Sequence, residues 1–176
     1  MRTTRHPQGN GSAEPGPANA ASTPGGEQRL DGLDSKIINL LQQDGRMPYR
    51  EIARQLGVSE GTIRFRANRL FQSGALTVIA IPDPFRLGYR ILAFALLKVA
   101  PERQEHVIKT LTTWDEVTYV SSCTGRADIY MQIVCRDHDQ LWELLYQRIP
   151  AIGGVKETET FMELKMHKVS YTYPVP

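Results

Sequence analysis

The spacing of apolar positions changes twice along the chain. Residues 1–29 contain no Leu, Ile, Val, Phe, Trp or Tyr, and nine of them are Gly or Pro. Such a stretch buries too little surface to offset its ordering entropy, so it reads as a disordered tail. Arg2, Arg5 and His6 within it are either solvated or in contact with DNA phosphates. From Leu30 the period is helical. Leu33, Ile37, Leu40 and Leu41 recur at i, i+4, i+7 and i+8, with Asp31 or Asp34 placed to cap the start. Gly45 ends this helix and Pro48 opens a second, which carries Ile52, Ala53 and Leu56 and stops at Gly57. Ser59 caps a third helix, with Ile63, Ala67 and Leu70 on one side and Gly74 at its end. Three short helices over 30–74, the last two joined by Gly57-Val58-Ser59, predict a helix-turn-helix domain.

Beyond Ala75 the period becomes that of strands. A strand over 76–81, halted by Pro82-Asp83-Pro84, marks a hinge segment over 75–86. There follow a strand (89–99), a helix (102–114), two strands (116–123 and 129–135), a helix from Asp137 closed by Pro150, and a strand (155–169). The order β-α-β-β-α-β is that of the ferredoxin-like unit, here residues 87–176. The predicted class is therefore α+β, with a three-helix domain ahead of a ferredoxin-like one. In the 89–99 strand, Leu92, Phe94 and Leu96 make the second face apolar as well as the first. Two helices cover only one face of a four-stranded sheet, and a second copy of the sheet is the simplest cover for the other. A homodimer is expected.

Composition narrows this little. The chain has 176 residues, one full domain or two small ones. No run nears the roughly 20 apolar residues that span a bilayer, and no apolar stretch follows Arg2 and Arg5 as a leader would require. Cys123 and Cys135 build neither a disulfide scaffold nor a four-ligand zinc site, so a cytoplasmic setting without metal or cofactor is expected. The net charge of +2 excludes a general polyanion binder. The mild basic excess concentrates in 30–74, where seven Lys and Arg stand against five Asp and Glu.

On a helical wheel the third helix turns Gly61, Phe65, Asn68 and Gln72 away from its apolar side, flanked by Arg64 and Arg69. Arg can chelate guanine and Asn or Gln adenine, so this face suits a major groove of double-stranded DNA. Ser59, Glu60, Gly61 and Thr62 form the first turn, whose free N–H groups can grip a phosphate. The DNA-contacting set is then Ser59, Glu60, Gly61, Thr62, Arg64, Phe65, Asn68 and Arg69. Some alternatives stay open. Gly61 is either tolerated near a helix end or needed for close approach to DNA. Phe65 touches a thymine methyl or packs on a neighbouring element. Arg66 reaches a phosphate or, the favoured reading, an acid within the domain.

Several motifs fall in register with one family. Leu30-Asp31-x-x-Asp34-x-x-Ile37, Asp44-Gly45-Arg46, Glu51-Ile52-Ala53, Gly57-Val58-Ser59, Arg66-x-x-Arg69-Leu70 and Gly74 resemble the Lrp/AsnC, or feast/famine, transcriptional regulators. Asp83-Pro84-x-x-Leu87-Gly88 is similar to that family's hinge, and Thr124-Gly125-x-x-Asp128 to the effector loop of its C-terminal domain. The resemblance implies an operator-binding regulator that binds an amino acid between subunits and assembles from dimers into larger oligomers such as octamers. It makes Thr124, Gly125, Arg126 and Asp128 the candidate effector residues, with Asp128 facing the ligand ammonium. Without the resemblance the same loop is an ordinary β-turn. Arg126 and Ala127 occupy its variable positions; Arg126 either binds an acidic effector or solvates the loop. A siroheme-decarboxylase-like enzyme shares this two-domain outline, but no histidine stands beside the loop. A dimerisation module that has lost DNA binding is the remaining rival.

Overall fold

The computed structural model describes residues 30–175. The tail expected over 1–29, with Arg2, Arg5 and His6, lies outside the described residues. Two units form, one from residues 30–79 with 171–175 and the other from 80–170.

The first unit is built on α1 (Gly32–Gln43), α2 (Tyr49–Leu56) and α3 (Glu60–Gln72). Asp31 caps α1 by accepting the N–H groups of Leu33 and Asp34, at 3.0 and 2.9 Å. Asp34 returns the favour to the Asp31 N–H, which closes a capping box. Gly57 ends α2 at φ +67°, a conformation that favours glycine. Ser59 then caps α3 through the Thr62 N–H at 3.1 Å. Ile37, Ile52, Ile63 and Leu70 meet in the core with no exposed surface.

Segments 76–81 and 171–175 depart from the expected outline. Residues 76–81 are rich in strand-favouring side chains, yet they run unpaired among the described residues. Leu76 packs on the helical core, while Val78, Ile79 and Ile81 stay exposed. Residues 171–175, expected with the second domain, join the helical unit. The Gln42 amide donates to the Tyr173 carbonyl at 3.0 Å and accepts the Tyr173 N–H at 2.7 Å. Val175 packs against the core beside it.

The second unit contains β1 (Ile91–Val99), α4 (Gln104–Leu111), β2 (Val117–Ser122), β3 (Ile129–Cys135), α5 (His138–Glu143) and β4 (Val155–Met162). All neighbours in the sheet are antiparallel and the order is β2-β3-β1-β4, the ferredoxin-like arrangement. The register sets Ala95 opposite Met131 and Leu97 opposite Ile129. Ala93, Ala95, Leu97, Met131 and Ile133 therefore share the face covered by Val107, Leu111, Leu141, Leu144 and Ile149. Pro150 does not close the second helix as expected. A π-helical turn, Leu144–Arg148, follows α5, and Pro150 falls in the first turn of a last segment, Ile149–Ala151. There its missing N–H costs no ladder bond. The last strand ends at Met162 instead of continuing to residue 169.

Candidate functional site

Packing Ile63, Ala67 and Leu70 inward leaves Gly61, Arg64, Phe65, Asn68 and Gln72 exposed on α3. Phe65 is 69% exposed, so it does not pack on a neighbouring element of this unit. A Cβ at Gly61 would meet nothing closer than the Ser59 hydroxyl at 3.7 Å, so the fold itself does not require glycine there. At the first turn the Ser59 and Thr62 hydroxyls lie 2.9 Å apart. Arg64 donates to Glu60 at 2.8 Å, and its guanidinium carbon lies 5.6 Å from the centre of the Tyr49 ring.

Arg69, expected in the DNA-facing set, is engaged within the domain. Its guanidinium is bound to Asp34, a carboxylate with no exposed surface. Arg66 reaches Asp31 and Asp34, which settles its two readings in favour of the acid within the domain. The Arg66 hydrogen bond, helped by the Asp34 N–H, holds the Asp31 carboxyl down at about 2. Both arginines thus fasten α3 to the start of α1. A wheel drawn on α3 alone carries no sign of partners some 35 residues away.

The second cluster surrounds the loop between β2 and β3. Gly125 sits at φ +110°, Thr124 and Arg126 are exposed, and Ala127 is buried. Asp128 bridges to β1 with both oxygens. Oδ1 accepts from Lys98 Nζ and Oδ2 from the Val99 N–H, each at 2.9 Å. The Val99 N–H, then Lys98, lowers its carboxyl below the usual range. Arg126 pairs with Glu159 at 2.7 Å and lies 6.0 Å from the centre of the Phe161 ring. Beside the loop opens a cleft of about 550 Å³ lined by Leu96, Lys98, Arg126, Ala127, Glu157, Thr158 and Glu159. Lys98, Glu157 and Glu159 escaped the sequence reading, because only strand register brings them to the loop. The alternating acids of β4 were the one available signal. Of the four candidate effector residues Arg126 lines the cleft; Asp128 is tied to its Lys98 from outside the lining, and Thr124 and Gly125 do not line it.

The sheet face opposite the helices is aromatic. Phe94 stacks on Tyr130 at 5.7 Å between centroids, and Tyr119 meets Tyr130 edge-on at the same distance. Tyr119 and Phe161 remain 50% and 43% exposed. Among the described residues no helix is long and apolar enough to cross a membrane. No group of three His, Cys, Asp or Glu among them could hold a metal ion.

A capped recognition helix on one unit and a cleft-bearing ferredoxin-like sheet on the other define a DNA-binding transcriptional regulator with a ligand-binding domain. Residues 30–70 match the profile of the AsnC-type helix-turn-helix domain, and residues 92–173 that of the Lrp/AsnC ligand-binding domain. The chain belongs to the Lrp/AsnC family. It is 38% identical over 147 residues to the HTH-type transcriptional regulator FL11 of Pyrococcus furiosus, covering 83% of this chain and 97% of that one. The solved structure of E. coli AsnC superposes with a TM-score of 0.76 at 30% identity, over 82% of this chain and 98% of that one. A transcriptional regulator of Neisseria meningitidis, solved as a complex with L-Met, shares the fold with a TM-score of 0.77. Its identity is 23%, over 83% of this chain and 97% of its own. These relatives are transcriptional regulators by name, and the decarboxylase reading finds no support among them.

Proposed function

We propose that α3 reads operator DNA and that an amino acid, bound between subunits at the 124–128 loop, adjusts the affinity of that reading. On the DNA side, Arg64, Phe65 and Asn68 address base edges, and Ser59, Gly61 and Thr62 the phosphate backbone, with Glu60 beside Arg64. One observation carries the effector half: Lys98, Arg126 and Glu159 line the cleft, and they belong to two ready-made ion pairs, Lys98–Asp128 and Arg126–Glu159. A zwitterion can exchange into such pairs without leaving a charge unmatched. Its ammonium takes the place of Lys98 on Asp128, and its carboxylate receives Lys98 and, on the loop side, Arg126. The L-Met complex of the neisserial regulator supports this ligand class. The aromatic sheet face opposite the helices, with Tyr119 and Phe161 exposed, supports the homodimer.

Calorimetric titration with each of the twenty amino acids, beside operator-binding curves, tests the reading. Asp128→Asn keeps an acceptor for the Val99 N–H and removes only the charge. It is expected to weaken the best ligand by about 2 kcal/mol, some thirtyfold, while DNA affinity without ligand stays at the wild-type value. Unchanged ligand affinity would remove Asp128 from the site.

A further inference from the structure

We propose that Tyr49, on the helix preceding α3, is a positioning residue for base reading: its ring holds Arg64 in the orientation in which α3 presents it to DNA. The inference rests on the groove reading of α3. An exposed arginine is flexible, and fixing it at the moment of binding costs side-chain entropy. Arg64 is instead held from two directions before DNA arrives. Glu60 takes one N–H at 2.8 Å, an ordinary pairing of residues one turn apart. Tyr49 is of a different kind, because it comes from another helix. It is itself half-buried and packed against the helical core, so its ring stands in a fixed place. With the guanidinium carbon 5.6 Å from the ring centre, the attraction is of the cation–π type. A contact through the π face uses none of the guanidinium N–H donors. Arg64 is thereby oriented while it keeps the donors that a guanine edge requires. Preorganisation of this kind appears as discrimination between bases, because nonspecific phosphate contact does not need one orientation.

The experiment uses the full chain and a duplex selected by the wild-type protein from a random-sequence pool. Competition against every single-base variant of that duplex gives discrimination position by position. Arg64→Ala identifies the position that Arg64 reads. Tyr49→Leu, which keeps bulk but has no π face, should lose about threefold in discrimination at that position alone. Tyr49→Phe should restore it. On an Arg64→Ala background, Tyr49→Leu should change nothing further. Pentafluorophenylalanine at position 49 keeps the ring's shape and reverses its quadrupole. It should reproduce the Tyr49→Leu result even if that variant proves unstable. Equal loss at every position, or full discrimination with the fluorinated ring, would overturn the role of Tyr49. If Arg64→Ala relaxes no position, the groove reading itself falls.

Discussion

At the residue scale, Asp34 serves the helical unit in two ways at once. It closes the capping box of α1 and, with no exposed surface, receives Arg66 at 3.2 Å as well as Arg69. A buried carboxylate is tolerated only with such partners. Asp34→Ala leaves Arg66 with Asp31, but it strands Arg69, whose Nε is already buried without a partner. A loss of about 2–4 kcal/mol is expected, to be measured by urea unfolding. Arg69→Met keeps the aliphatic stem and leaves Asp34 paired with Arg66, so it should cost less. Asp31 adds a pH dependence of known sign. Its carboxyl lies at about 2 in the fold against an ordinary 3.8. Between those values the unfolded chain holds more protons than the folded one, so stability falls on acidification. The contribution is whole above 3.8 and is lost as pH falls through about 2. Melting curves from pH 5 to 2 should be flatter at the acid end for Asp31→Asn. Little of this was legible in sequence. Asp31 and Asp34 could be read as caps from their place before an apolar period. Their second task depends on α3 folding back across them.

At the scale of elements, the turn into β4 is set by backbone conformation. Gly154 has φ +96°, and a Cβ there would lie 2.5 Å from the Cβ of Arg103 and 2.8 Å from its Cγ. Those Arg103 atoms cannot swing aside cheaply, since the side chain donates to the Ile152 carbonyl at 3.2 Å. Gly154→Ala should cost about 3 kcal/mol or more, from left-handed strain and overlap together. Gly125, at φ +110° with open space around it, should cost only the strain, about 1–2 kcal/mol for Ala. Calorimetric melting of the two variants separates these contributions. Element types were readable wherever local chemistry decides them. Ser59 and Asp137 cap helices as their spacing implied, and β3 spans the expected residues. The strand expected over 76–81, and the end of the one expected over 155–169, were misread for one reason. Strand-favouring side chains mark a segment suited to a ladder, but a strand exists only where a partner supplies the other half. Leu164 is exposed, as are Met166 and Val169, and no ladder partner faces them among the described residues.

At the scale of the whole molecule, the feature that calls for an explanation is the apolar face of the sheet. The apolar residues on both faces of β1 were enough to foresee that the face opposite the helices would need a cover. The structure fills that face with Phe94, Tyr130 and Tyr119, joined by two ring contacts, and with Phe161; Tyr119 and Phe161 are exposed and the other two half-buried. Aromatic side chains carry more buried area than other types, so leaving this set in water is costly. Covering it with a second copy makes the face of one subunit the cover of the other, as a twofold interface requires. Such a pairing would also give the molecule two recognition helices, as readers of palindromic half-sites have. Phe94→Arg tests both consequences in one variant. A cation in the middle of the self-facing surface meets its own copy across the axis, which opposes association without touching α3. Sedimentation at micromolar concentration should show the wild type as a dimer or larger assembly and Phe94→Arg as a monomer. The variant should then lose specific operator affinity at least tenfold, through the loss of two-site binding. Its affinity for a single half-site should be unchanged. A wild-type monomer would overturn the paired-sheet assembly, and a monomeric variant with full operator affinity would detach DNA reading from it.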